Sequence, residues 1–252
     1  MTVKVPSIVR AGAAGIAILL STALSVSANS IDESTSRALN GGADETVRVR
    51  AIAELGTAGT DASSEPLLRI ARNRQENDGI RSAAVRALSE LARPRAEILA
   101  AFEEIYRDPA SGNNLLYTLI FSMGRLKAQE SFPLLADAIE SADDAIRFKA
   151  AQALGEIGTP EAFRLLKDRL RSDDDRFVRA EIVRALGAFD GPAAQDILAG
   201  VLAGDSSAVV RYNAAVLLKG KKTITSEARS ALAGALTDAS PMVRAAAKGV
   251  AP

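Results

Sequence analysis

Seven stretches of this chain open in the same way, and their spacing restricts the fold more than any other feature. Val47-Arg48, Ile80-Arg81, Ile146-Arg147, Val178-Arg179, Val210-Arg211 and Val243-Arg244 each start an Ala- and Leu-rich run, and Leu115-Leu116 stands at the remaining place. The second residues of these pairs lie 33, 35, 31, 32, 32 and 33 positions apart. A period this regular predicts a solenoid of helical units. No such unit buries its apolar face without a neighbour.

Each unit reads as helix, short loop, helix. In the first helix the Val or Ile is followed at +4 and +8 by further apolar residues, as in Ile80, Ala84 and Leu88 or Ile146, Ala150 and Leu154. That spacing lines one helical face, and Ala at its middle lets helices approach closely. Three residues before each pair stands a residue suited to the N-cap: Asp44, Asn77, Gly112, Asp143, Asp175, Ser207 or Ser240. Second helices follow turns such as Gly158-Thr159-Pro160, Gly191-Pro192 and Arg93-Pro94-Arg95. Their apolar faces are Leu134, Leu135, Ala138 and Ile139, then Phe163, Leu166 and Leu170, then Ile197, Leu198, Val201 and Leu202. Helices of about three turns are marginal alone, so stacking must hold them. Six two-helix units are expected from Asp44 to Asp238, closed by a capping helix from Pro241 to Val250.

The run from Asp143-Asp144-Ala145-Ile146-Arg147 to Gly158 resembles the HEAT-like repeat of phycobilin lyase subunits and many bacterial scaffolds. Asp175 to Phe189 is similar, and Ser122-Met123-Gly124-Arg125-Leu126 matches the helix end in the weakest unit. The resemblance covers nearly all of Asp44 to Val250. It implies an all-α, right-handed α-solenoid of about six HEAT-like hairpins plus a C-terminal capping helix. It also implies a concave face lined by second helices and used to bind protein.

The N-terminus carries a separate signal. Lys4 and Arg10 form a basic region without an acid, Ala11 to Ala28 is apolar or small, and Val26-Ser27-Ala28 offers small residues to a signal peptidase. This predicts a cleaved secretory signal over 1–28, a linker over 29–43 and a repeat domain over 44–252, with an uncleaved membrane anchor as the alternative. With no Cys after the apolar run, a lipoprotein anchor is excluded. Together with high Ala and Arg usage, the leader points to a bacterial periplasmic or secreted protein without stable membrane insertion after cleavage. Loss of Lys4 and Arg10 leaves 29 basic against 31 acidic side chains. So even a balance argues against nucleic acid as a partner.

The sequence holds no His, Cys or Trp, hence no imidazole base, thiol nucleophile or nitrogen or sulfur metal ligand. No catalytic residue, cofactor or metal is expected. Asp173-Asp174-Asp175 is a short acid run, but Asp175 is an N-cap and one run lacks the oxygens that calcium needs. Bilin-directed relatives act in the cytoplasm, so export counts against carrying over a lyase activity. Arg48, Arg81, Arg147, Arg179, Arg211 and Arg244 read as structural, bridging to carbonyls or Asp residues in the loop of a neighbouring unit. Lys219-Gly220-Lys221-Lys222 is a basic loop, solvated or directed at an anionic partner. Five of the ten aromatic residues, Phe102, Tyr106, Tyr117, Phe121 and Phe132, gather mid-chain, and periodicity assigns them to core packing. Asp108 to Asn114 lengthens the repeat and Leu116 replaces the Arg, which suggests sequence drift, a kink, a hinge or a local binding loop.

These features predict an exported scaffold or adaptor that binds another protein through its concave face. Off-core second-helix residues include Asp137, Glu140, Lys167, Asp168 and Arg171. Asp137 and Glu140 offer an acidic pair, and Lys167 and Arg171 a basic pair, as the partner-binding residues. The alternatives are an accessory subunit holding a small molecule or envelope polymer and, more distantly, a lyase-like enzyme.

Overall fold

The structure, a computed structural model, describes residues 30–91 and 96–248. Over these residues the chain forms helices and no strands. A helix over 30–39, α1, comes first. The first helices of the units are α2 (Glu45–Ala58), α4 (Asp78–Ser89), α6 (Asn113–Leu126), α8 (Asp144–Ile157), α10 (Arg176–Gly187) and α12 (Ala208–Lys219). The second helices are α3 (Asp61–Arg72), α5 (Ala96–Arg107), α7 (Phe132–Ala138), α9 (Pro160–Ser172), α11 (Pro192–Gly204) and α13 (Ser226–Gly234). A lone α14 (Pro241–Ala247) ends the array. Each first helix packs on the first helix of the next unit, giving an all-α solenoid with one continuous core.

All seven N-cap residues stand immediately before a first helix. Asp44, Asn77, Asp143 and Asp175 accept backbone N–H groups of the first turn. Ser207 and Ser240 do not cap with their side chains. Their own N–H groups are instead held by Asp205 and Asp238, at 2.7 and 2.8 Å.

The paired apolar residues are core, with Ile80, Leu115, Val210 and Val243 fully buried. Val47 is the exception at 44% exposed. It lies on α2, where no first helix precedes it among the described residues to cover that face. Small residues set the spacing of the row. A methyl group placed on Gly124 would meet the Ala153 Cα at 2.7 Å, and one on Gly155 would meet the Ala185 Cβ at 2.8 Å. Side chains there are excluded by close packing of helix on helix.

One boundary differs from the expectation. The stretch read as a linker over 29–43 contains α1, whose Ala38 and Ser34 are buried. Ser34 and Arg37 both donate to Glu54 of α2 at 2.7 Å. Ile31, Ala38 and Leu39 pack on the core at its two ends, but buried Ser34 occupies the middle of that face, which is why hydrophobic periodicity does not reveal the helix. The expected leader over 1–28, the Arg93-Pro94-Arg95 turn and Val250 lie outside the described residues. Among the described residues no helix is long and apolar enough to cross a membrane.

Candidate functional site

Four of the repeated arginines, Arg48, Arg147, Arg179 and Arg211, tie one loop to the next. Arg147 Nη1 donates to the Ser141 and Ala142 carbonyls of its own loop at 3.0 and 3.1 Å. Its Nε and Nη2 reach across to both carboxylate oxygens of Asp173 at 2.8 and 3.2 Å. Arg179 repeats this with the Asp173 and Asp174 carbonyls behind it and Asp205 ahead. Arg211 does so with the Asp205 and Ser206 carbonyls and Asp238. Arg48 takes the Ala38 carbonyl and Glu76. Arg81 takes the Ala71 carbonyl and Asp78, whose other oxygen accepts the Gly112 N–H of the next unit. Arg244 donates to the Asp238 and Ala239 carbonyls. This geometry uses the guanidinium as a rigid fork, carbonyls on one side and a bidentate acid on the other.

The acids of this ladder escape a reading of the sequence alone. Glu76, Asp173, Asp205 and Asp238 follow their arginines by 28, 26, 26 and 27 residues. That register was the available signal, and the cap role of neighbouring acids obscured it. Asp173 is fully buried. Burial pushes its carboxyl up. Hydrogen bonds from Arg147, Arg169 and the Asp175 N–H outweigh that effect and hold it below the usual carboxylate value. Asp173 and Asp175 are therefore occupied by arginines and a helix cap. No group of three or more His, Cys, Asp or Glu suited to a metal ion occurs among the described residues.

The irregular third unit is tied as well. Tyr117 and Asn113 donate to Asp143 of the next unit at 3.2 and 3.0 Å, in place of the missing arginine. Burial and the Asp143 carboxylate both raise the Tyr117 phenol. Asp108 pairs with Arg74 at 2.9 Å, and the Ser111 hydroxyl donates to the Ile105 carbonyl at 2.8 Å. This segment is a loop tied at both ends of its turn by these contacts. In the basic loop, Lys221 donates to the Gly187 and Phe189 carbonyls and Lys219 to the Lys248 carbonyl, so both support the fold.

The four predicted partner-binding residues separate into two environments. Asp137 accepts the Tyr106 hydroxyl at 2.7 Å, and Glu140 accepts Arg169 Nη1 at 2.8 Å. Both acids bridge neighbouring second helices. Lys167 and Arg171 instead line a groove of about 550 Å³ between α9 and α11. Its apolar lining includes Phe163, Leu170, Ile197 and Val201. A further cavity of about 350 Å³, lined by Pro160, Arg164 and Phe189, shares Phe163 and Ala193 with it. The groove follows α9 from Phe163 to Arg171, about 12 Å at 1.5 Å per residue.

Charge in this groove is of both signs with an excess of positive, since Asp205 is neutralised by Arg179 while Asp196 keeps its charge. Asp196 and Asp205 also line it, but Asp196 accepts the Thr225 hydroxyl and Asp205 is held by Arg179. Lys167 and Arg171 have no ion-pair or hydrogen-bond partner among the described residues. Gly200, on the α11 wall, has open space where a Cβ would lie.

Comparison with known proteins agrees with this architecture. Residues 34–113, 99–187 and 170–219 each match the profile of HEAT repeats. No curated protein sequence matches significantly. Among solved structures, the chain is similar to the CpcE and CpcF complex of phycocyanin lyase from Nostoc sp. PCC7120. The identity is 18%, the TM-score 0.52, and the match covers 86% of this chain and 91% of that one. It is similar to the X-ray structure of YIBA from Escherichia coli at 15% identity, TM-score 0.54, over 88% and 94% of the two chains. Human deoxyhypusine hydroxylase is 19% identical over 90% and 96%, with a TM-score of 0.42. At such identities the likeness to the CpcE and CpcF complex and to YIBA is one of fold. The repeat profile, matched over most of the chain, carries the assignment: the protein belongs to the HEAT-repeat family.

Proposed function

We propose that this HEAT-repeat protein is an exported, non-catalytic scaffold that binds another protein along its second-helix face, with the α9–α11 groove as the contact site. The observation that carries this reading is an apolar channel flanked by two cations without partners, in a molecule whose other repeated charges are largely paired. A solenoid presents such a surface without rearranging its core. The basic start, apolar run and Val26-Ser27-Ala28 site support export. Absence of His and Cys from the whole chain supports binding rather than catalysis.

The test is a photo-crosslinking side chain at Ala193, in the groove, compared with one at Arg86, on the exposed side of α4. In the native envelope, Ala193 is expected to yield a discrete adduct and Arg86 none. The exported protein is expected to have the intact mass of a chain starting at Asn29. Adducts from Arg86 alone would place the binding surface on the first helices, and a mass retaining 1–28 would favour a membrane anchor.

A further inference from the structure

We infer that the segment seated in the α9–α11 groove is an acidic amphipathic helix. This rests on the groove being the binding site. Three observations lead to its chemistry.

The first is charge. Lys167 and Arg171 are four residues apart on α9, so they stand on one side of the channel, one helical turn from each other. On the opposite wall Asp205 is neutralised by Arg179, and Asp196, bonded to a hydroxyl, sets one negative charge against the two positive ones. The unmet charge in the channel is therefore positive, and two carboxylates one turn apart on a partner helix would match it.

The second is backbone chemistry. Both walls are helices, whose peptide groups are satisfied internally. An extended segment would find no row of free N–H and C=O groups to pair with. A helical segment arrives with its own backbone already bonded. The groove length of about 12 Å accommodates about two turns, enough for apolar side chains at i, i+3, i+4 and i+7. Phe163, Leu170, Ile197 and Val201 form the complementary surface.

The third is Gly200. Glycine is among the worst residues for a helix interior. Here no packing demands it, because nothing lies within 4 Å of a Cβ built at that position. Gly124 and Gly155, by contrast, are required by neighbouring helices. What Gly200 does is keep the channel wall low, which lets a second helix approach closely.

The experiment is a selection from displayed helical peptides about three turns long, with a fixed apolar stripe and randomised polar positions. It is run against the full chain, against K167E/R171E and against Gly200→Leu, each checked by thermal melting. The full chain is expected to enrich peptides with two acids one turn apart beside the apolar stripe. Their affinity should fall about tenfold or more on K167E/R171E, through lost and reversed ion pairs, and should vanish on Gly200→Leu. Enrichment of the same polar residues by the full chain and the charge-reversed variant would overturn the inference, as would enriched peptides that fail to compete with crosslinking at Ala193. If Ala193 captures a native partner while the selection shows no acidic preference, the groove stands and the acidic helix fails. If Ala193 captures nothing, the binding-site reading itself fails.

Discussion

Arg179 and Arg244 occupy the same place in their units but have different partners. Arg179 grips two carbonyls behind it and both oxygens of Asp205 ahead, whereas Arg244 is bonded to two carbonyls. Removing Arg179 also leaves Asp205, whose side chain is only 10% exposed, without its cation. Arg179→Ala should therefore destabilise the fold by about 1–3 kcal/mol, the range for hydrogen bonds to charged groups and for a stranded buried acceptor. Arg244→Ala should cost about 1 kcal/mol or less. Chemical denaturation of the two variants checks this ranking, and equal midpoints would show that the acid half of the fork contributes nothing. The arginines were legible because they recur next to a core residue. Their acids were not, because Asp173 sits inside a run that a helix cap already explains, and only the fold brings it to Arg147.

Helices in the two rows are packed by different rules. First helices approach through Gly and Ala, and an added methyl at Gly124 would collide with the Ala153 backbone. Second helices α9 and α11 leave a channel, where Gly200 touches nothing. The same substitution should therefore have opposite signs. Gly124→Ala should destabilise by about 1–3 kcal/mol through overpacking, despite its gain in helix propensity. Gly200→Ala should stabilise by about 0.5–1 kcal/mol, since propensity acts there unopposed. Thermal melts of both variants decide the matter, and a stabilised Gly124→Ala would mean that the row yields more easily than its distances imply. First-helix starts were legible through their caps and the period of Val and Ile. Helix α1 was not, because the middle of its buried face is Ser34, bonded to Glu54, between apolar Ile31 and Ala38. Val47 fits the apolar pattern yet is exposed, because periodicity does not report which end of a row a helix occupies.

At the scale of the molecule, the solenoid separates stability from recognition. Arginine–acid forks and small-residue contacts hold successive loops and first helices together, so nearest-neighbour terms carry most of the fold. Lys167 and Arg171 were legible as an off-core pair from their spacing. Their groove was not, because a gap between two helices depends on how neighbouring units splay, which no local pattern records. The acidic pair expected opposite them is absorbed by Tyr106 and Arg169, contacts that span about one repeat. The central claim is that this groove binds the partner. Its most direct test is capture of the crosslinked native complex from Ala193 by the protein carrying both Lys167→Glu and Arg171→Glu. Both residues are without partners among the described residues, so the melting temperature should stay unchanged while the adduct is lost. An undiminished adduct in the folded double variant would contradict the account.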